Sequence, residues 1–391
     1  MNISSLFSLL RGTRRQASSC PYPVVLPAAG GVSRGRVLFS YIPESLTLKR
    51  DDPRFGGHPN YWKARTIAEI FSECGFDVDA IRWYDWNFRP RRQYEVIFDI
   101  SSNLPRLASF MDVRPVLLLH RTGADAFFQN ASEIRRARAM EDRRGVAYCP
   151  KRIVPFPDLE RMALERADAA TLIGNEWTRD TYPVELRNKL DLVPVSAADV
   201  RGVAKRSHYV PPERHFLCFC GSGAVHKGVD LLLEVFGGHP VLTLHIVGDA
   251  DTEPDFRRAY LRELSASNIH CHGFLHASDP RFKAVIDTCF AFVLPTCSEG
   301  ISAAVATSMQ MGLYPIISRE SGVTLPSGRG RYLEACTVEE IEGTVMDVFR
   351  RSGDDLEEEI AAVQTYAAAV FSREAFRSAM AKAIKVATER R

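Results

Sequence analysis

A glutamate beside a glycine lies between two apolar segments and could bind a small polar ligand. FAFVLPT (290–296) and YPIIS (314–318) have the length and composition of buried strands. Between them, Glu299 and Gly300 precede small residues that predict a helix over 302–311. The free N–H groups and positive dipole at a helix start suit a phosphate, and a neighbouring carboxylate suits sugar hydroxyls. Alternatively, Glu299 only stabilises the helix, which is worth about 0.3–1 kcal/mol.

A second segment has the outline of a phosphate site. GSGAVHKG (221–228) follows the apolar strand HFLCFC (215–220) and precedes a predicted helix. Lys227 could give a phosphate a charge-assisted contact worth about 1.5–3 kcal/mol. The spacing differs from that of a P-loop, and a solvated surface lysine is the alternative. Together with Glu299, this segment predicts a site for a sugar carried on a nucleoside diphosphate.

Length and composition limit the class of protein. A chain of 391 residues with 46% hydrophobic and 25% charged residues predicts two soluble globular domains. A net charge of +2 argues against a nucleic-acid-binding protein. The sequence shows neither a transmembrane run nor the residue order of a signal peptide. Nine scattered cysteines without a CxxC motif indicate reduced thiols. We therefore expect a cytoplasmic protein.

The order of predicted elements indicates the fold class. Strands alternate with helices from about residue 36, and the alternation restarts near residue 215. This predicts two doubly wound, Rossmann-like α/β domains that face each other across a cleft. The predicted parts are a flexible tail (1–33), an N-terminal acceptor-side domain (34–195), a C-terminal donor-binding domain (196–372) and a C-terminal helix that could cross back to the N-terminal domain (373–391).

Several motifs resemble those of GT-B glycosyltransferases, in particular the retaining family 4 type (glycosyl transferases group 1). They are HKGVDLLLEVF (226–236), HIVGDA (245–250), IHCHGFL (269–275) and PTCSEGISAAVATSMQMGLYPII (295–317). GGHPNYWKARTIAEIFSECGFDVDAI (56–81) resembles the first glycine-rich loop, helix and strand of that family more loosely. The resemblance covers roughly residues 36–380 and is most specific in the C-terminal half.

The resemblance implies a function and a set of site residues. It implies a hexosyltransferase that moves a sugar from a nucleotide-sugar donor to a glycan or lipid-linked acceptor, as in polysaccharide biosynthesis. It further implies retention of configuration and no metal or cofactor, since the nucleotide sugar is a substrate. Glu299 and His120 would be catalytic. The donor would be bound by residues of the C-terminal half: Gly221, Ser222, His226, Lys227, Gly248, Phe274, Gly300, Ile301 and Thr307. Of these, Gly248 and Phe274 would lie against the nucleobase.

Two positions depart from the family pattern. Thr307 stands where a second glutamate usually holds the ribose, and Ser222 stands where an arginine usually binds the diphosphate. A protonated His226 could substitute for that arginine. These departures leave open a non-catalytic GT-B relative that binds a nucleotide sugar or a glycan. A sugar-nucleotide epimerase is the other alternative.

Other segments admit two interpretations each. The basic run at 135–144 predicts a solvated helix face, or a surface that contacts anionic lipids at the inner face of a membrane. Trp83, Tyr84 and Trp86 are expected to be partly buried, with an acceptor platform as the alternative. DVD (77–79) is expected to lie inside a strand rather than to bind a metal. The alternating histidines at 270 and 272 lack a recognisable third ligand in the sequence.

Overall fold

The computed structural model describes residues 22–52, 54–57, 59–198, 200, 204, 210–211, 213–276 and 279–389. Its strands form two sheets, which define an N-terminal half and a C-terminal half. The strands of the first sheet are β1 (Val24–Leu26), β2 (Arg36–Tyr41), β3 (Asp77–Arg82), β4 (Val96–Asp99), β5 (Val116–Arg121), β6 (Ala169–Ile173) and β7 (Leu190–Val193). Those of the second are β8 (His215–Phe219), β9 (Leu244–Val247), β10 (Ile269–Cys271), β11 (Cys289–Leu294), β12 (Tyr314–Ser318) and β13 (Arg331–Leu333).

Both sheets have the crossover order of doubly wound folds. The first has the order β1-β3-β2-β4-β5-β6-β7 and is parallel except at β1, and the second has the order β10-β9-β8-β11-β12-β13 and is parallel throughout. All six residues of β11 are buried, as a central strand covered on both faces requires. The predicted α/β class with two parallel sheets is therefore confirmed.

The helices connect successive strands and cover the sheets. They are α1 (Glu44–Thr47), α2 (Arg54–Gly57), α3 (Pro59–Glu73), α4 (Leu104–Ala108), α5 (Ala126–Arg144), α6 (Pro157–Arg166), α7 (Glu176–Asp180), α8 (Val229–Gly238), α9 (Pro254–Ala259), α10 (Leu261–Leu264), α11 (Pro280–Thr288), α12 (Ala303–Gln310), α13 (Val338–Arg350), α14 (Gly353–Val370) and α15 (Arg373–Glu389). Within the described residues, 3-10 turns also occur at Val184–Lys189, Ala250–Thr252 and Arg319–Ser321.

Part of the predicted flexible tail is a strand. Val24–Leu26 pairs antiparallel with β3, and the N–H of Ala28 donates to the Asp77 carboxylate at 3.0 Å. The prediction of a tail over 1–33 missed this edge strand because three residues are too few to show a periodic pattern. Residues 1–21 lie outside the described part of the chain.

Asp79 of the DVD segment has a structural role. Its side chain is 1% exposed and accepts hydrogen bonds from the Tyr94 hydroxyl at 2.8 Å and from Arg36 at 3.3 Å. These bonds satisfy the carboxylate within the N-terminal half. The expectation that this segment lies in a strand is confirmed by β3.

Helix α5 has a capping signal at each end and contributes residues to the interface between the two halves. The Asp125 carboxylate accepts hydrogen bonds from the N–H groups of Phe127 and Phe128, which caps the helix start. Gly145 ends the helix at φ 63°, a conformation that glycine adopts without steric cost. Both signals are local, so the sequence alone fixes the extent of this helix.

The last helix, α15, packs on the N-terminal half. Phe376 is fully buried, with its ring centroid 5.7 Å from that of Trp62 in α3 and 6.4 Å from that of His120 in β5. Arg377 forms an ion pair with Glu73 at the end of α3, at 2.5 Å. These contacts join the end of the chain to its first sheet. None of the helices among the described residues combines the length and apolarity that crossing a bilayer requires.

His120 is enclosed by this packing and predicts a pH dependence of stability. Burial, with the charges of Lys63 and Arg121, lowers the pKa of His120 to about 3. An unfolded histidine takes up a proton near pH 6.5, so in acid the unfolded state binds more protons than the folded state. The free energy of unfolding therefore decreases as the pH is lowered. We expect His120 to account for a loss of about 2 kcal/mol in the free energy of unfolding between pH 7 and pH 5. In urea unfolding at both pH values, His120→Gln should remove that part of the loss.

The matched control is His276→Gln, because His276 is an exposed histidine. It should keep the pH dependence of the parent. An identical loss of stability between pH 7 and pH 5 in His120→Gln and in the parent would show that His120 takes up its proton in the folded state.

Candidate functional site

Lys227 and Glu299 form an ion pair where the carboxyl ends of β8 and β11 lead into the cleft. The ammonium contacts Oε1 of Glu299, which also accepts a hydrogen bond from the Thr296 hydroxyl at 3.2 Å. The two charged side chains are only 10% and 14% exposed. Burial alone would raise the pKa of Glu299, but the charges of Lys227, His226 and Arg152 lower it. Glu299 is therefore an ionised acceptor at neutral pH.

The turn at Glu299 and Gly300 lies directly against the N-terminal half. The N–H of Ala124 donates to the Glu299 carbonyl at 3.1 Å, and the Thr178 hydroxyl donates to the Gly300 carbonyl at 3.3 Å. A Cβ at position 300 would lie 2.4 Å from the carbonyl oxygen of Ile173. The sequence suggested that this glycine allows a ligand to approach closely. In the structure, the backbone of the N-terminal half occupies that space.

Two N–H groups remain available beside Glu299. Those of Gly300 and Ile301 have no acceptor among the described residues, while the N–H of Ser302 donates to the Ser321 carbonyl at 2.8 Å. Helix α12 begins at Ala303, so its positive dipole end adds to these two donors. This part of the turn can still bind an anion or a sugar oxygen.

The glycine loop before α8 is partly occupied by the protein's own carboxylate. Oε1 of Glu253 accepts hydrogen bonds from the N–H groups of Gly223 and Ala224 at 2.8 and 2.9 Å. Its Oε2 accepts the Tyr148 hydroxyl of the N-terminal half at 2.7 Å. Those two N–H groups are therefore not free for a phosphate, contrary to the outline that the sequence suggested.

A buried pair between His226 and Glu133 joins the two halves. Nδ1 of His226 lies 2.5 Å from Oε2 of Glu133, and Nε2 donates to the Ser298 carbonyl at 2.6 Å. Oε1 of Glu133 accepts the N–H groups of Lys151 and Arg152 at 2.8 and 3.0 Å. Burial would raise the pKa of Glu133, but the hydrogen bond from His226 and those backbone donors lower it. The Ser298 carbonyl and the ionised Glu133 carboxylate can only accept hydrogen bonds, so both nitrogens of His226 donate and the pair is an imidazolium and a carboxylate.

This pairing corrects the hypothesis that His226 replaces the missing diphosphate arginine. Both ring nitrogens have partners, and the side chain is fully buried. His226 is protonated as the hypothesis required, but its charge is used within the protein. A diphosphate must find its second cation elsewhere.

Glu133 and His226, together with Cys297, are near enough to one another to hold a metal ion. The Cys297 sulfur lies 3.6 Å from Nδ1 of His226, and burial raises the pKa of this thiol to about 12. Both oxygens of Glu133 already accept hydrogen bonds. The contacts therefore describe a hydrogen-bonded cluster with a neutral thiol, and metal independence stays a prediction.

The histidines at 270 and 272 have neighbours that the sequence did not reveal. Nδ1 of His215 lies 3.0 Å from Nε2 of His245, whose Nδ1 lies 2.9 Å from Nε2 of His272. The ring of His270 lies 5.0 Å from that of His245. Adjacent strands bring these four residues together, which spacing along the chain cannot show. Since both nitrogens of His245 bond to other imidazoles, the cluster is a hydrogen-bonded row.

The other predicted catalytic residue, His120, lies inside the N-terminal half. It is 0% exposed, and its Nδ1 lies 2.7 Å from the Thr171 hydroxyl. Its Nε2 has no hydrogen-bond partner within the described ranges. The ring stacks on Phe98 with centroids 6.1 Å apart. His120 is thus neutral and enclosed, and its catalytic role stays a prediction.

The remaining predicted donor-binding residues are dispersed around the cleft. The Thr307 hydroxyl is buried and accepts the Ala198 N–H at 3.2 Å, so it already has a partner. Phe274 is 56% exposed and free to contact a base. A Cβ at Gly248 would lie 2.0 Å from the Cys220 carbonyl, which explains this glycine by packing. Ser222 is exposed.

Three charged residues near the site were missed from the sequence. Glu133 and Arg152 approach the glycine loop from the N-terminal half. Lys63 of α3 is 4% exposed and has no hydrogen-bond partner in the described part of the chain, and burial lowers its pKa to about 8. The sequence pattern could have revealed two of them, Lys63 and Glu133. Lys63 precedes buried Ile67 by four residues, and Glu133 precedes buried Ala137 by four, so both lie on apolar helix faces.

The arginine run on α5 is largely an interface between the halves. Arg143 pairs with Asp230 at 2.6 Å and with Glu234 at 3.0 Å, and Arg144 pairs with Glu263 at 2.5 Å. Arg136 donates to the Pro295 carbonyl at 3.0 Å. These charges are not free to meet a lipid surface. The peripheral membrane contact stays a prediction.

The aromatic residues after β3, which we expected to be partly buried, are exposed. Trp83, Tyr84 and Trp86 are 39%, 55% and 44% exposed. An acceptor platform therefore stays open as a prediction.

The Glu133–His226 pair predicts a large loss of stability on truncation. Glu133→Ala leaves a buried imidazolium and two N–H groups unpaired, so we expect a loss of about 3–5 kcal/mol in the free energy of unfolding. Urea unfolding at pH 7 measures it. Asp142→Ala, an exposed carboxylate on the same helix, is the control. A loss no larger than that of the control would contradict the ionised pair.

Comparison with known proteins places this arrangement in a known fold. Residues 214–349 match the family model described as glycosyl transferases group 1. No curated protein gives a significant match to the sequence. Sucrose-phosphate synthase from Thermosynechococcus elongatus is 12% identical with a TM-score of 0.60, over 90% of this chain and 99% of that one. HepE of Anabaena, solved with UDP and glucose, is 12% identical with a TM-score of 0.56, over 90% and 100%.

WaaG, a glycosyltransferase involved in lipopolysaccharide biosynthesis, is 11% identical with a TM-score of 0.55, over 90% of this chain and 100% of that one. At such identities the structural likeness establishes the fold, and the family model adds the match in the C-terminal half. The chain therefore has the GT-B fold of glycosyltransferases, and its residues 214–349 confirm the predicted relationship to glycosyl transferases group 1.

Proposed function

We propose that the protein transfers a hexosyl group from a nucleotide-sugar donor to a glycan or lipid-linked acceptor, with retention of configuration and without a metal. The observation that carries this proposal is the Lys227–Glu299 pair beside the free N–H groups of Gly300 and Ile301. A cation, an ionised carboxylate and two donors thus meet at the carboxyl ends of strands in a GT-B fold. This is where doubly wound folds bind their ligands.

The charges assign complementary tasks to the two side chains. A diphosphate would attract the Lys227 ammonium, which would release Oε1 of Glu299. The released carboxylate repels phosphate but accepts hydrogen bonds from sugar hydroxyls. The donor would therefore lie with its phosphates at Lys227 and its sugar at Glu299. Rate enhancement would come from positioning the sugar and from stabilising the charge of the leaving diphosphate.

Two features favour a second candidate, a GT-B relative that binds a nucleotide sugar without transferring it. Ser222 brings no charge to the diphosphate, and the Thr307 hydroxyl already accepts the Ala198 N–H.

HepE of Anabaena was solved with UDP-glucose, which makes UDP-sugars the first donors to test.

Incubation with a panel of nucleotide sugars distinguishes the candidates. Release of free nucleoside diphosphate is the expected result and indicates a transferase that uses water or an added acceptor. Interconversion of the sugars would indicate an epimerase. Binding without any turnover, across acceptors that include glycans and lipid-linked sugars, would contradict transfer and favour the binding protein.

Glu299→Gln tests the role of the carboxylate. The amide keeps the shape but loses the charge, so we expect turnover of the whole donor to fall by about 10-fold to 100-fold, the value of one charge-assisted hydrogen bond. Affinity for free nucleoside diphosphate should stay the same or rise slightly, because a negative charge near the anion is removed. Initial rates and calorimetry on the same preparations measure both.

Glu185→Gln, an exposed carboxylate in the 3-10 turn before β7, is the matched control. If Glu299 only stabilises α12, the variant should lose about 0.3–1 kcal/mol of stability. An unchanged rate with that small loss would defeat the sugar-binding role.

A further inference from the structure

The Arg152 side chain has no hydrogen-bond or ion-pair partner among the residues that the structure describes. Lys227 pairs with Glu299, and His226 pairs with Glu133. The guanidinium of Arg152 donates no hydrogen bond to any described residue, and no described carboxylate lies near enough to form an ion pair with it. The cleft therefore carries an uncompensated positive charge that an anionic ligand would neutralise.

The side chain of Arg152 lies on the glycine loop of the opposite half. A Cβ built on Gly223 would lie 2.8 Å from Cγ of Arg152 and 3.2 Å from its Cδ. Gly223 has φ +91°, so both its backbone conformation and this contact disfavour any other residue. The charge of Arg152 reaches Glu299, whose pKa it helps to lower after the larger effect of Lys227. Arg152 thus contacts the glycine loop that carries Lys227, and its charge acts on Glu299.

Two backbone donors of the loop precede the glycine that Arg152 contacts. The N–H groups of Gly221 and Ser222 have no acceptor among the described residues. They immediately precede Gly223, against which the Arg152 stem packs. Two backbone donors in the loop that Arg152 contacts suit the oxygens of a phosphate.

The position of Arg152 is fixed by its own backbone. Its N–H donates to Glu133 at 3.0 Å, and its carbonyl accepts from the Gln129 amide at 2.5 Å. Glu133 in turn pairs with His226 of the glycine loop. Hydrogen bonds through Glu133 therefore hold the Arg152 segment against the glycine loop.

We propose that Arg152 of the N-terminal half binds the diphosphate of the donor together with Lys227 of the C-terminal half. The guanidinium supplies the charge and the bidentate geometry that Ser222 cannot. The inference rests on the proposed function, since it assigns a residue to the diphosphate of that donor. It also makes the diphosphate a bridge between the halves, so that binding stabilises their closed arrangement.

Calorimetry with three probes tests the assignment: UDP, GDP and inorganic pyrophosphate. Arg152→Ala should weaken the best-binding probe by about 10-fold to 100-fold, the value of one charge-assisted contact. Arg152→Lys keeps the charge but loses the planar fork and should fall between Arg152→Ala and the parent. Lys151→Ala, which removes an exposed charge one residue away, should bind like the parent. Melting curves of all variants establish that they are folded.

A second-site variant makes the result specific to the diphosphate. Ser222→Arg, placed in the Arg152→Ala background, returns a guanidinium to the same loop and should restore affinity to within about threefold of the parent. Parent-like binding of UDP and pyrophosphate by Arg152→Ala would overturn the assignment while leaving the proposed function standing. A parent that binds none of the three probes would overturn both.

Discussion

The ion pair between Glu133 and His226 is the interaction on which the arrangement of the site depends. An ionised pair removed from water is costly unless every remaining polar atom is satisfied. Here the second oxygen of Glu133 accepts two backbone N–H groups, and the second nitrogen of His226 donates to the Ser298 carbonyl. The pair is therefore fully hydrogen-bonded, and it spans the two halves of the molecule.

Each partner of this pair is adjacent to a residue of the candidate site. Lys227 follows His226 in the chain, and Glu299 follows Ser298, the acceptor of His226. On the other side, Glu133 holds the backbone of Arg152. One buried contact thus sets the relative positions of two cations and a carboxylate that come from three separate segments. The close backbone contact of Gly300 with Ile173 and Thr122 adds a steric constraint to the same arrangement.

The sequence predicted what local patterns control and missed what depends on contacts between the halves. Alternating strands and helices indicated two parallel sheets. The strand-to-helix turns brought Lys227 and Glu299 to the same edge of one sheet, because the carboxyl ends of parallel strands share an edge. The sequence suggested His226 as a substitute for the arginine if protonated, but its partner lies 93 positions earlier in the chain, in the N-terminal half. Arg152 carries no motif, and only its packing on Gly223 reveals it.

We propose that the donor lies between the halves, with its phosphates bound from both sides and its sugar at Glu299. A crystal structure with an intact nucleotide sugar tests this most directly. We expect diphosphate oxygens within hydrogen-bonding distance of both the Lys227 ammonium and the Arg152 guanidinium, and a sugar hydroxyl that donates to the Glu299 carboxylate. A diphosphate bound to the C-terminal half alone, with Arg152 in solvent and the Lys227–Glu299 pair intact, would contradict it.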